Sequence, residues 1–216
     1  MTKHQARMAF SMIYIPTITY NFAACSFTLQ QAEKIQAKAI EHFLPAMGWR
    51  RTSARAFVHG PLEFGGINLP HLYAIQGAQK MITLINNMRG KTSLGYLLIN
   101  NINWLQLISG KVIQLLLETE KNSYIQSDWI LNLQEYMHMR YITLTSELFW
   151  TPKLQRINDE LLMEAAVKQL YTPKVLRTIN NWRMFFQAIR LLDICDGYGK
   201  QILEPYIIHD KIDKWS

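Results

Sequence analysis

Residues 28–47 read TLQQAEKIQAKAIEHFLPAM, and their spacing decides the class of the fold. Leu29, Ala32, Ile35, Ala39, Phe43 and Met47 recur every three or four positions, while Gln30, Glu33, Lys34, Lys38 and Glu41 fall mostly elsewhere. That rhythm predicts an amphipathic helix with a single buried stripe. Thr28 with Gln31 offers a capping box at its start, and Pro45, which lacks an amide hydrogen, is expected to end it. A second pattern of the same kind runs through Leu72, Ile75, Ala78, Ile82, Ile85 and Met88 to Gly90, with Pro70 placed to lead into it. Tyr96 to Ile108 and Val112 to Glu118 continue the helical spacing. Each stripe needs a neighbour to cover it, so the expected fold is mainly α and multi-helical.

Between the first two helices the pattern breaks at His59-Gly60-Pro61 and again at Phe64-Gly65-Gly66-Ile67-Asn68-Leu69-Pro70. Adjacent glycines permit positive φ or close backbone approach, and Ile67 and Leu69 alternate as in a short extended segment. An ordered Gly-Gly loop is expected there. Downstream, the polar stretch from Lys121 to Asp128 is read as separating two packed helical lobes, and Trp129 to Met139 as a helix. Tyr141 to Trp150 fits either a strand or coil. Asp159 to Leu170 reads as a helix with acids in its first turn. Thr172-Pro173 caps a last helix through Leu176, Ile179, Trp182, Phe186 and Ile189 up to Leu192, with Gly197 and Gly199 closing it. The chain is thus divided into segments 1–60, 61–122 and 123–216.

At 216 residues, 49% hydrophobic and 18% charged, the chain is neither wholesale disordered nor a polytopic membrane protein. Cys25 and Cys195 stand 170 positions apart with no CxxC, which argues against a disulfide framework and a cysteine-based zinc site. No apolar run reaches the ~18–20 residues that span a bilayer. Lys3 and Arg7 before the apolar stretch Met8 to Ile15 superficially resemble a signal, but Pro16, Thr17, Thr19 and Asn21 interrupt it, so an intracellular protein of nucleus or cytoplasm is expected. The net charge is +7, and it is uneven. Residues 1–60 hold seven Lys and Arg against two Glu, whereas residues 128–216 balance eleven against eleven. A polyanionic partner would therefore be met in the N-terminal half.

Catalytic signatures are absent. Neither Gly65-Gly66 nor Gly197-Tyr198-Gly199 has the setting of a phosphate-cradling loop, and there is no GxSxG or HExxH. The six histidines, at 4, 42, 59, 71, 138 and 209, do not converge in sequence, and His59 and His71 beside the glycine loop read as structural. Asp193 and Asp196 lack a third carboxylate and read as caps. No catalytic residue, metal ligand or cofactor is expected. The strongest functional feature is Trp49-Arg50-Arg51-Thr52-Ser53-Ala54-Arg55, just beyond the helix bearing Lys34 and Lys38. Guanidinium groups pair with phosphate oxygens and an adjacent aromatic stacks on a base or sugar. A solvated basic turn with Trp49 plugging the core reads equally well.

Taken in order, Pro16 and Tyr20, Ile35-Gln36, Gly48 and its arginines, His59-Gly60-Pro61, Phe64-Gly65-Gly66-Ile67-Asn68-Leu69-Pro70 and Gln76 resemble the region C-terminal to the palm in reverse transcriptases of non-LTR, LINE-like retroelements. Gln106 to Gly110, Trp129, Asp159 with Met163, Ile179-Asn180 with Arg183, and Asp193-Ile194 with Gly199 are similar to the remainder of that tail. Asn68 stands where that family favours a small residue, and Trp182 falls between Asn180 and Arg183. The resemblance implies a thumb-like segment from about Ala6 to Arg55 followed by a helical connection. The thumb packs on the primer-template duplex through backbone phosphates, a role carried here to Lys34, Lys38, Arg50, Arg51 and Arg55. The magnesium-binding Tyr-x-Asp-Asp element of the palm is missing, so the chain is expected to bind RNA/DNA duplex and the palm of its parent rather than polymerise. The rival reading is a decayed or reused helical scaffold that binds protein, its ten Met and 12% aromatics supplying the docking face.

Overall fold

Thr28 starts the decisive helix as its neighbours dictate. Its hydroxyl accepts from the Gln31 amide while the Gln31 side-chain oxygen accepts from the Thr28 amide at 2.9 Å. The computed structural model describes residues 1–118, 122–126, 128–154, 159–196, 198 and 200–203. They are mainly helical, with only isolated β-bridges besides. The helices are α1 (Lys3–Ala9), α2 (Ile15–Thr19), α3 (Leu29–Ala46), α4 (Arg55–His59), α5 (Leu72–Arg89), α6 (Ser93–Ser109), α7 (Trp129–Met139), α8 (Leu162–Lys168) and α9 (Pro173–Phe185).

The chain forms two compact units that interleave in sequence. One comprises Met1–Tyr96 with Ser127–Tyr141, the other Leu97–Gln126 with the chain from Ile142 onward. This division differs from the three consecutive segments read from the sequence, because α7 packs against α5, some fifty residues upstream.

In the first unit α3 buries Ala32, Gln36, Ala39, Ile40 and Leu44. The buried face is rotated slightly from the apolar stripe, since Gln36 is drawn inside. Its amide donates to the Pro70 carbonyl at 2.8 Å and accepts from the Leu72 amide at 3.0 Å, so the chain entering α5 is fastened to α3. Pro45 does not end the helix; it sits in the final turn. Pro16, the second residue of α2, has no amide to give, and just upstream residues Phe10–Tyr14 relax into a π-turn in which the Ile15 amide reaches back to the Phe10 carbonyl. The core gathers Ala6 and Phe10, Ile40, Leu44 and Met47, Val58, and Ile67 with Leu69.

The Gly-Gly loop is held by backbone bonds at 2.9 Å from Ile67 to the Phe57 carbonyl, from Asn68 to Gly60 and from Leu69 to Val58. Ile67 and Leu69 are buried while Asn68 is exposed, which matches the expected alternation. Asn68 itself takes the left-handed conformation at φ 56°, which asparagine adopts more readily than most residues. A side chain at Gly66 would sit 2.1 Å from the Gly60 carbonyl oxygen, so this close approach admits only glycine.

α5 lies between α3 and α7. Polar groups tie it in place: the Asn132 carbonyl oxygen accepts from Gln76 at 2.7 Å and from the Lys80 ammonium at 2.8 Å, and its amide donates to the Phe27 carbonyl at 3.1 Å. Trp129 donates to the Ala23 carbonyl at 2.7 Å.

The second unit is organised around the end of α6. Gly110 closes it at φ 62°, and the carbonyls of its last turn find side-chain donors. Arg183 of α9 donates to the Leu107 and Ile108 carbonyls, both at 2.8 Å, and Tyr124 to Ser109 at 2.8 Å. Gln106 bonds the Lys111 and Ile113 carbonyls and the Leu115 amide, which diverts Val112 to Glu118 from the expected helix into a single 3-10 turn at Leu115–Leu117. α8 and α9 pack through Met163, Ala166 and Leu176.

Asp159 and Glu160 do not form a first helical turn. Their segment pairs with the backbone beyond α9, Leu162 donating to Ile189 and Leu191 to Glu160, and α8 begins only at Leu162. α9 stops at Phe185, short of Leu192, where Gln187 turns left-handed at φ 55°. Tyr141 to Trp150 forms no strand. Gly197 and Gly199 lie outside the described residues.

Candidate nucleic-acid interface

The turn that carries the arginines is built by the end of α3. Gly48 takes φ 88°, and the Trp49 amide reaches back to the Leu44 carbonyl at 2.9 Å, closing a Schellman motif. The glycine conformation lifts the chain off the helix axis and delivers Trp49, Arg50 and Arg51 in succession to the surface. Trp49 is 45% exposed, and its ring meets Phe57 edge to face at 5.1 Å. It is therefore neither a core plug nor a free platform: one edge rests on Phe57, and the rest remains open to solvent.

Lys34, Lys38, Arg50, Arg51 and Arg55 are all exposed. Lys34 and Lys38 are one turn apart on the solvent face of α3, and Glu41 follows on the same face. Arg51 returns to that face and pairs with Glu41 at 3.6 Å. Arg55 opens α4 and lines a cavity beside Glu33 of α3. Among the described residues no ion pair engages Lys34, Lys38, Arg50 or Arg55.

One cation of this region was not singled out in the sequence. A side chain built at Gly48 would fall 2.5 Å from the Lys3 Cε and 2.8 Å from its Nζ, so the Lys3 stem crosses the glycine directly beside the arginine turn. Forty-five positions separate the two, and only the charge excess of the first sixty residues pointed to it. Arg7, one turn further along α1, is engaged differently: it donates to the Ile67 carbonyl at 3.2 Å and fastens α1 to the glycine loop.

Such an arrangement offers separated positive charges of the kind that pair with phosphates. Asp193 and Asp196 are occupied by backbone: Asp193 accepts from the Ile189 and Arg190 amides at 2.9 and 2.8 Å, and Asp196 from Lys200 and Gln201 at 2.8 and 3.3 Å. No cluster of three or more metal-ligating side chains occurs among the described residues, and no helix there is long and apolar enough to cross a membrane. Compared with protein-family models, curated proteins and solved structures, the chain matches none.

Proposed function

We propose that this chain serves as a non-catalytic C-terminal part of an RNA-directed DNA polymerase and grips duplex nucleic acid by its phosphates, without regard to sequence. The observation that carries the reading is the set of exposed cations around the end of α3: Lys34, Lys38, Arg50 and Arg55 outside ion pairs among the described residues, with Lys3 laid across Gly48 and Trp49 half open beside them. The resemblance of its glycine loop and flanking residues to the tail of LINE-like reverse transcriptases supports this reading of the family.

Fluorescence anisotropy with an RNA/DNA duplex tests it. Each phosphate contact releases counterion, so the logarithm of affinity should fall linearly with the logarithm of salt, and each contacting cation removed should lower the slope by about 0.9. Arg50→Ala and Arg55→Ala are expected to flatten the line by that amount each, and Arg51→Ala by less, because Glu41 already holds this guanidinium. Glu41→Gln, which frees Arg51, should tighten binding. An affinity indifferent to salt, or unchanged when all three arginines become alanine, overturns the reading and favours the protein-binding scaffold.

A further inference from the structure

We propose that His59 and His71 form a two-imidazole site for a divalent transition-metal ion, Zn2+ or Ni2+. Twelve residues separate them in sequence, but the hydrogen-bonded return of the glycine loop sets them side by side, ring centroids 5.0 Å apart and planes at 72°. They line an open cavity of about 440 Å3 with Glu33 and Arg55 at its sides and Ala37 and Ile40 among its apolar walls.

Three features of the pair point to a metal. First, His59 Nδ1 lies 2.8 Å from the Leu69 carbonyl, an acceptor, so in the neutral ring this nitrogen carries the proton and Nε2 the lone pair. A backbone carbonyl on the far nitrogen is how metal-binding histidines are commonly oriented. Second, His71 Nδ1 is enclosed without a hydrogen-bond partner among the described residues, so no donor there competes for the ring. Third, two imidazoles bound at about 2.0–2.1 Å to one ion at angles between octahedral and tetrahedral have centroids about 4.5–5.2 Å apart, and the observed spacing falls in that interval.

Glu33 favours a cation in the cavity, while Arg55 beside it and Arg140, whose charge acts on His71, oppose it. No third ligating side chain converges among the described residues, so water completes the shell and binding is expected to be weak compared with a structural zinc site.

Calorimetric titration of the full chain with Zn2+ and Ni2+ at pH 7.5 is the test. One saturable site is expected, weakened at least tenfold by His59→Gln and by His71→Asn and unaltered by His42→Gln or His138→Gln. A second measurement needs no variant. In the wild-type chain, Zn2+ should slow diethyl pyrocarbonate modification of His59 and His71, read residue by residue by mass spectrometry, and leave His42 and His138 unchanged. No saturable binding at millimolar metal overturns the assignment. So does equal protection of all four rings, or protection by inorganic phosphate in place of the metal.

Discussion

Lys80→Met tests whether burying a lone ammonium in α5 costs this protein stability. The Lys80 side chain is fully enclosed. Its ammonium donates to the Ser26 hydroxyl and the Asn132 carbonyl oxygen, both at 2.8 Å, and lies 5.2 Å from the centre of the Trp129 ring. Burial is the main influence on its pKa, which falls from 10.5 to about 8 despite the opposing charges of Asp128 and Cys25. That gap corresponds to about 3 kcal/mol against the charged form in the folded state.

Methionine keeps the stem and removes the charge. Its partners survive the change, because the Asn132 oxygen still accepts from Gln76 and Ser26 is exposed to water. At pH 7 the substitution should therefore raise the unfolding free energy by about 1–2 kcal/mol, the usual outcome when a desolvated charge gives way to an apolar isostere. The sign reverses with pH. Between about 8 and 10.5 the unfolded chain keeps a proton that the folded chain releases, so wild-type stability rises through this window by at most about 3 kcal/mol, and the variant lacks that rise. Tyr73, pushed up to about 12 by burial, acts oppositely above pH 10 in both proteins and cancels in the comparison. Urea unfolding followed by circular dichroism at pH 7, 8, 9 and 10 reads the difference directly. A constant difference across that range, or a variant less stable by more than about 1 kcal/mol at pH 7, would refute the reasoning, because the hydrogen bonds of the ammonium would then outweigh its desolvation.

Arg183→Met is expected to have the opposite effect, although this residue too is a buried cation outside any ion pair among the described residues. Its removal strands the Leu107 and Ile108 carbonyls and the Asn180 side chain, a loss of about 3 kcal/mol in urea unfolding, and Arg183→Lys should restore little because lysine lacks the planar fork. Leu170→Gly should stabilise by about 0.5–1 kcal/mol, since Leu170 is 90% exposed yet held at φ 55°, a conformation that penalises a Cβ and is relieved by glycine. An unchanged or lower denaturation midpoint contradicts that expectation.

Helix identity was legible wherever periodicity and punctuation agreed. α5 and α7 lie within a residue or so of their expected limits, because Gly90 and Asp128 mark their ends by local chemistry. Boundaries failed where a distant group decided them. Val112 to Glu118 keeps helical spacing, but Gln106 supplies partners to its backbone; Asp159 and Glu160 resemble a first turn, but the chain after α9 pairs with them. The basic turn was visible in the sequence, whereas the Glu41 partner of Arg51 and the placement of Lys3 at Gly48 were not.

What the sequence determined alone was the class of fold, the capping of α3 and α9, the glycine positions and the surplus of positive charge near the front, since each depends on residues within a turn or two. The tertiary structure decided which cations remain unpaired among the described residues, that Lys80 and Arg183 lie buried, that His59 and His71 meet, and that α7 joins the first unit. These follow from contacts between residues far apart along the chain, and local spacing carries no record of where such residues come together.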